Sequence, residues 1–140
     1  MEYYCYVNYY MTKMRVVIAD DSNLIRERLQ ELIIGYKRAE IVGTFKNGTD
    51  TLSALRILKP DLAIVDIVMP GLSGLEVLKA IRRENETLRF IIFTFHSSDY
   101  YRQMAIQLKV DHFFNKVDDF EKIAEVVEGM LNKEINKSKD

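Results

Sequence analysis

The sequence predicts an α/β fold, a doubly wound five-stranded parallel sheet with helices on both faces. From Arg15 onward, short β-branched or aromatic runs alternate with longer segments of helical period, as βα units on a parallel sheet do. The short runs are apolar throughout, which suits strands covered on both faces rather than on one. At 140 residues and 48% hydrophobic content the chain has the size of one domain with its own core.

The first strand is expected at Val16 to Ala19, followed by a helix in which Leu24, Ile25, Leu29, Leu32 and Ile33 recur at helical spacing. Gly35 is placed to cap that helix at its C-terminus. Ile41 to Phe45 forms the second strand, and Asn47-Gly48 a turn before a helix carrying Leu52, Leu55 and Leu58. Lys59-Pro60 stops this helix, because the residue before a proline disfavours the helical conformation. Leu62 to Val65 is the third strand, and the third helix places Leu75, Leu78 and Ile81 on one stripe. The fourth strand is Phe90 to Thr94. Its helix, Ser98 to Leu108, has only Met104, Ala105 and Leu108 as an apolar set and carries Tyr100, Tyr101 and Arg102, so it is the weakest of the five. His112 to Phe114 is the last strand, and Phe120, Ile123, Val127 and Met130 give the last helix its core stripe.

Residues 1–13 read as an N-terminal extension outside the fold, residues 14–131 as the domain, and residues 132–140 as a polar, frayed tail. The extension holds five tyrosines and the lone cysteine, Cys5, which rules out an intrachain disulfide; Met11 and Met14 are both alternative starts. A net charge of −1 without a basic block argues against direct contact with nucleic acid, and Lys133, Lys137 and Lys139 are interspersed with acids. No apolar run is long enough for a membrane span and no secretory signal is visible, so a soluble, cytoplasmic protein is expected.

Ligands of an open parallel sheet bind beyond the carboxyl ends of its strands. There the first strand leads into Asp20-Asp21, the third into Asp66, the fourth ends on Thr94, and the fifth leads to Lys116. Each has an ordinary explanation alone: Asp21 or Ser22 would cap a helix, Thr94 is a common strand residue, and Lys116 would be solvated. Their meeting at one rim is what points to chemistry. Three carboxylates without His or Cys make a hard oxygen site suited to Mg²⁺, or to Mn²⁺. Crowded acids oppose one another's ionisation, and a bound dication relieves this, leaving Asp66 ready as a nucleophile toward phosphorus, with Lys116 and Thr94 to balance the charge on the transferring group. His96 and His112 have no neighbour at ligand spacing, and neither a catalytic triad order nor a glycine-rich phosphate loop is present.

The segments VVIADDSNLIRERL, IVDIVMPGLSGLEVLKAIR and VDHFFNK resemble the receiver domains of bacterial response regulators, over about Met14 to Leu131. Asp66 followed by Met69-Pro70 and Gly74 is the most specific part of that resemblance. It implies a flavodoxin-like (βα)5 fold of strand order 2-1-3-4-5 and a switch in two-component signalling. By the same resemblance Asp66 is the phosphoacceptor, and Asp20, Asp21, Asp66 and the backbone carbonyl of Val68 hold Mg²⁺. Lys116 would pair with the phosphoryl group, and Thr94 would be the switch hydroxyl that lets Phe113 turn inward. The implied partners are a histidine kinase or phosphotransfer protein, and a downstream protein on the face of helix 4, strand 5 and helix 5. No catalysis beyond self-phosphorylation and slow dephosphorylation is implied. A receiver that no longer phosphorylates and serves as an interaction module is the alternative. A phosphatase using an aspartyl intermediate would want a second acid in Asp66-Ile67-Val68, which is lacking.

Departures from the family pattern cluster in the second half of the chain. Phe113 stands where tyrosine is common, and Phe95 where a small residue is usual, so Phe95 is expected to narrow access to Asp66 and slow the loss of a phosphoryl group. Val117 replaces the proline after Lys116, where a cis peptide would cost about 2.5–4 kcal/mol, and the loop is expected to run differently. Lys109-Val110 replaces Gly-Ala, so the fourth helix must end without a glycine cap.

Overall fold

The structure, a computed structural model, describes residues 12–139; the tyrosine-rich start and Cys5 lie outside the described residues. In chain order the elements are β1 (Met14–Ala19), α1 (Asn23–Ile34), β2 (Ala39–Phe45), α2 (Gly48–Leu58) and β3 (Leu62–Val65). They continue with α3 (Gly74–Arg82), β4 (Arg89–Thr94), α4 (Asp99–Gln107), β5 (His112–Asn115) and α5 (Phe120–Lys139). The five strands are parallel and ordered β2-β1-β3-β4-β5, as expected.

Alternation along the strands divides the core into two layers, because successive side chains leave a strand on opposite faces. Val16, Ile18, Leu62, Ile64, Ile91 and Phe93 pack under α1 and α5, against Ile25, Leu29, Ile33, Ile123 and Val127. Val17, Ala19, Ala63, Val65, Phe90 and Ile92 pack under α2, α3 and α4, against Leu52, Leu55, Leu75, Leu78 and Ile81. The central strands β1, β3 and β4 therefore need apolar residues on both faces, which explains their nearly unbroken apolar character.

Four local outcomes differ from the sequence reading. Leu24 is exposed while Arg26 is buried, so the inward stripe of α1 is Ile25, Arg26, Leu29 and Ile33. Gly35 does follow α1, but with φ −62° it is right-handed and its N–H donates to the Ile33 carbonyl, so no left-handed glycine cap forms there. Gly48 is the first residue of α2, with Asn47 capping the helix by accepting from Asp50 N–H at 2.8 Å. A side chain on Gly48 would collide with the Leu72 backbone, so close approach is what requires glycine. The polar C-terminal stretch is helical, since α5 runs through it to Lys139.

Candidate functional site

β1 and β3 are adjacent central strands, and the ladder continues past their ends: Asp66 N–H donates to the Ala19 carbonyl at 3.0 Å, and Asp20 N–H to the Phe45 carbonyl at 3.0 Å. Across the sheet, Lys116 N–H donates to the Thr94 carbonyl at 3.0 Å. The strand ends thereby set the backbone of each residue before any side chain is considered. On the far side of Asp66, α3 begins so close that a side chain on Gly74 would lie 2.1 Å from the Asp66 carbonyl oxygen. Gly74 N–H donates to the Ile67 carbonyl at 2.8 Å, which ties this helix start to the loop after β3.

The structure brings together the side chains of Asp20, Asp21, Asp66 and Lys116. Lys116 Nζ lies 2.6 Å from Asp20 Oδ2 and 2.8 Å from Asp66 Oδ2, and all three residues are buried. The remaining carboxylate oxygens accept from the backbone, Asp20 Oδ1 from Ser22 N–H at 2.9 Å and Asp66 Oδ1 from Ile67 N–H at 2.7 Å. Asp21 is exposed, yet it offers a carboxylate oxygen within 4.8 Å of those of Asp20 and Asp66. Helix capping falls to Ser22, whose Oγ accepts from Ile25 N–H at 3.3 Å, so Asp21 is left for another task.

Two buried acids share one ammonium, and the electrostatics follow from that ratio. Burial alone pulls the Lys116 ammonium down, but its hydrogen bonds to Asp20 and Asp66 outweigh this, and it is held above the usual lysine range. Burial, and to a lesser degree the neighbouring Asp66 charge, push the Asp20 carboxyl up despite its bonds to Lys116 and Ser22. The pocket thus carries unbalanced negative charge. A hard divalent cation would neutralise it, and the donors present, oxygens from Asp20, Asp21 and Asp66, are of the type Mg²⁺ takes.

Thr94 is fully buried at the end of β4, with its Oγ1 accepting from His96 N–H at 3.1 Å. Phe113 is buried, with Arg102 of α4 over its ring at 4.7 Å and donating to its carbonyl at 3.4 Å. Phe95 is 60% exposed and its ring centroid lies 5.0 Å from Lys116 Nζ, so it covers the ammonium from the solvent side. Val68, with its carbonyl in the loop after β3, is half-exposed, as is appropriate to a residue at the rim. No peptide bond among the described residues is cis, and after Lys116 the loop is instead closed by Asn115 Oδ1, which accepts from Val117 N–H at 2.6 Å.

Sequence reasoning missed Arg26. Its Nη1 donates to the Asp20 carbonyl at 2.7 Å and its Nη2 to Asn23 Oδ1. The available signal was its position between Ile25 and Leu29, on the stripe that faces the sheet.

A family model described as response regulator receiver domain matches residues 16–134. A protein-glutamate methylesterase/protein-glutamine glutaminase of Clostridium acetobutylicum is 36% identical over 84 residues, 60% of this chain and 24% of that protein. An uncharacterized response regulatory protein of Vibrio cholerae is 31% identical over 121 residues, 84% of this chain and 48% of its own length. The chain therefore spans a quarter to a half of these relatives. Among solved structures, a DNA-binding response regulator of the LuxR family from Staphylococcus aureus superposes with a TM-score of 0.77 at 31% identity, covering 83% of this chain and 97% of that one.

Proposed function

The chain belongs to the response regulator receiver domain family, and on that premise we propose that it is a signalling switch thrown by phosphorylation of Asp66. The observation that carries this reading is the buried Lys116 ammonium between Asp20 and Asp66, with Asp21 in reach of both. An Asp66 carboxylate oxygen attacks the phosphorus of a phosphohistidine on a histidine kinase or phosphotransfer protein. The P–N bond breaks, its electron pair leaves with the imidazole, and an acyl phosphate forms on Asp66. Lys116 balances charge on the phosphoryl oxygens, and the Thr94 hydroxyl moves from His96 N–H toward them. Asp20, Asp21, Asp66 and the Val68 carbonyl would hold Mg²⁺, or Mn²⁺, which when bound supplies charge neutralisation at those same oxygens.

The output follows from what Thr94 leaves behind. Its movement frees space beside β4 for Phe113 to reposition, and with it Arg102 and α4, so a downstream protein reads the face formed by α4, β5 and α5. The methylesterase and DNA-binding activities in the names of the similar proteins belong to those proteins. For this chain the direct partners are proteins. Among the described residues no helix is long and apolar enough to cross a bilayer.

Phe95 over the Lys116 ammonium, with Val117 in place of the usual proline, favours a second reading, a non-phosphorylated interaction module. Intact mass after incubation with Mg²⁺ and acetyl phosphate, then with a phosphohistidine donor protein, separates the two. The switch requires one phosphate adduct that disappears without Mg²⁺ and in Asp66→Asn; no adduct from any donor leaves the interaction module.

A further inference from the structure

We propose that Arg26 is a positioning residue for the acidic cluster, acting through the peptide that joins Asp20 to Asp21. The inference rests on the reading of Asp20, Asp21 and Asp66 as cation ligands. Arg26 lies on the buried stripe of α1, where its neighbours Ile25, Leu29 and Ile33 show that an aliphatic side chain would satisfy the core. A guanidinium there is costly to desolvate. Its two hydrogen-bond partners, the Asp20 carbonyl and the Asn23 side-chain oxygen, are both neutral. An ion pair therefore does not account for it.

Every other polar group of Asp20 is already held: its N–H by the Phe45 carbonyl, Oδ1 by Ser22 N–H and Oδ2 by Lys116. The Asp20 carbonyl is the group that remains, and it belongs to the planar unit ending at the Asp21 Cα. With Asp20 itself pinned, rotation of that unit is the main freedom left to Asp21, whose side chain is exposed. The charged bond from Arg26 at 2.7 Å stops the rotation. Arg26 thus fixes the backbone that carries the third carboxylate of the cluster without touching that side chain, and residues in such supporting roles typically change metal affinity about 10–100-fold when replaced.

The test is Mn²⁺ titration by electron paramagnetic resonance on the wild-type chain, Arg26→Gln, Arg26→Lys, Asp21→Asn and the double variant Arg26→Gln/Asp21→Asn, with circular dichroism confirming the fold. Arg26→Gln is expected to weaken binding by about tenfold or more. In the Asp21→Asn background the same change is expected to add little, a coupling that a merely structural role would not produce. Arg26→Lys keeps the charge but not the fork that reaches both oxygens, so its loss should be smaller, about threefold. If Arg26→Gln does not fold, Arg26→Lys decides, and wild-type affinity in it overturns the proposal. Wild-type affinity in folded Arg26→Gln, or full additivity with Asp21→Asn, overturns it as well. Absence of Mn²⁺ binding to the wild-type chain removes the cation reading itself, and this inference with it.

Discussion

α3 and α4 are equally long and occupy equivalent places after neighbouring strands, yet they are held to the sheet very differently. α3 starts with a reciprocal capping box, Ser73 Oγ accepting from Glu76 N–H and Glu76 Oε1 from Ser73 N–H, and buries Gly74, Leu75, Val77, Leu78 and Ile81. α4 has a single long cap bond, from Tyr101 N–H to Ser98 Oγ at 3.5 Å, and buries only Ala105. A groove of about 560 Å³ lies between them, lined by Met69, Leu75, Tyr101 and Met104 among others. The difference teaches where rigidity is needed. α3 abuts the Asp66 backbone, so its movement would displace the chemistry, whereas α4 carries Arg102, the contact to Phe113, and is free to report a change.

The largest contrast is expected in core truncation. Leu78→Ala in α3 should cost about 3 kcal/mol in urea denaturation, whereas Met104→Ala in α4 should cost about 1 kcal/mol or less, because a partly buried side chain leaves little cavity. Equal losses would show that α4 is as firmly packed as α3. A smaller effect is expected at the entrance to α4. If Asp66 is phosphorylated, Phe95→Ala should speed loss of the phosphoryl group about tenfold, equivalent to ~1.4 kcal/mol in the barrier, by opening Lys116 and its surroundings to water. An unchanged decay rate, followed by intact mass, would make Phe95 a bystander.

The end of α4 offers a gain rather than a loss. Lys109, at φ +66°, adopts the left-handed conformation, and its N–H and that of Val110 donate to the Ile106 and Ala105 carbonyls, both at 3.0 Å. This is the hydrogen-bond pattern of a glycine-ended helix formed without the glycine. Lys109→Gly should therefore raise stability by about 0.5–1 kcal/mol, since relief of the left-handed strain outweighs the added freedom of the unfolded chain. Its exposed ion pair with Glu86, at 3.6 Å, contributes little to offset this. A lower melting temperature in Lys109→Gly would refute the argument.

The smallest effect concerns pH. Asp119, ahead of α5, accepts from Asn115 N–H at 2.9 Å and pairs with Lys122 at 3.0 Å, and these bonds hold its carboxyl below the usual aspartate range. A lowered folded-state pKa means a contribution fully present above the unfolded value near 3.8 and lost as pH falls through the folded one. Asp119→Asn should accordingly be slightly less stable than wild type at pH 6, with the gap closing under acid. A gap that widens under acid would reverse the assignment.

Much of this was legible in the residues. The five strands, their order along the chain and the placing of Asp20, Asp21, Asp66, Thr94 and Lys116 at strand ends follow from local periodicity and from the rule that open parallel sheets bind ligands at their carboxyl ends. What local pattern cannot carry is a distance across the sheet. A lysine after a fifth strand reads as solvated until β5 and β4 are paired and its ammonium comes within reach of Asp20 and Asp66, acids from two other strand ends. Arg26 lies on the inward stripe of its helix by spacing alone, but the partner it meets there, the Asp20 carbonyl, is set by packing. Lys109 reads as a missing cap, yet it takes the left-handed conformation itself, with Arg82 Nε donating to its carbonyl at 2.9 Å. Composition and spacing determined which elements form and which end of the sheet carries the polar residues. Only the packed structure decided which charges face each other, since burial and pairing arise from contacts between residues far apart in the chain.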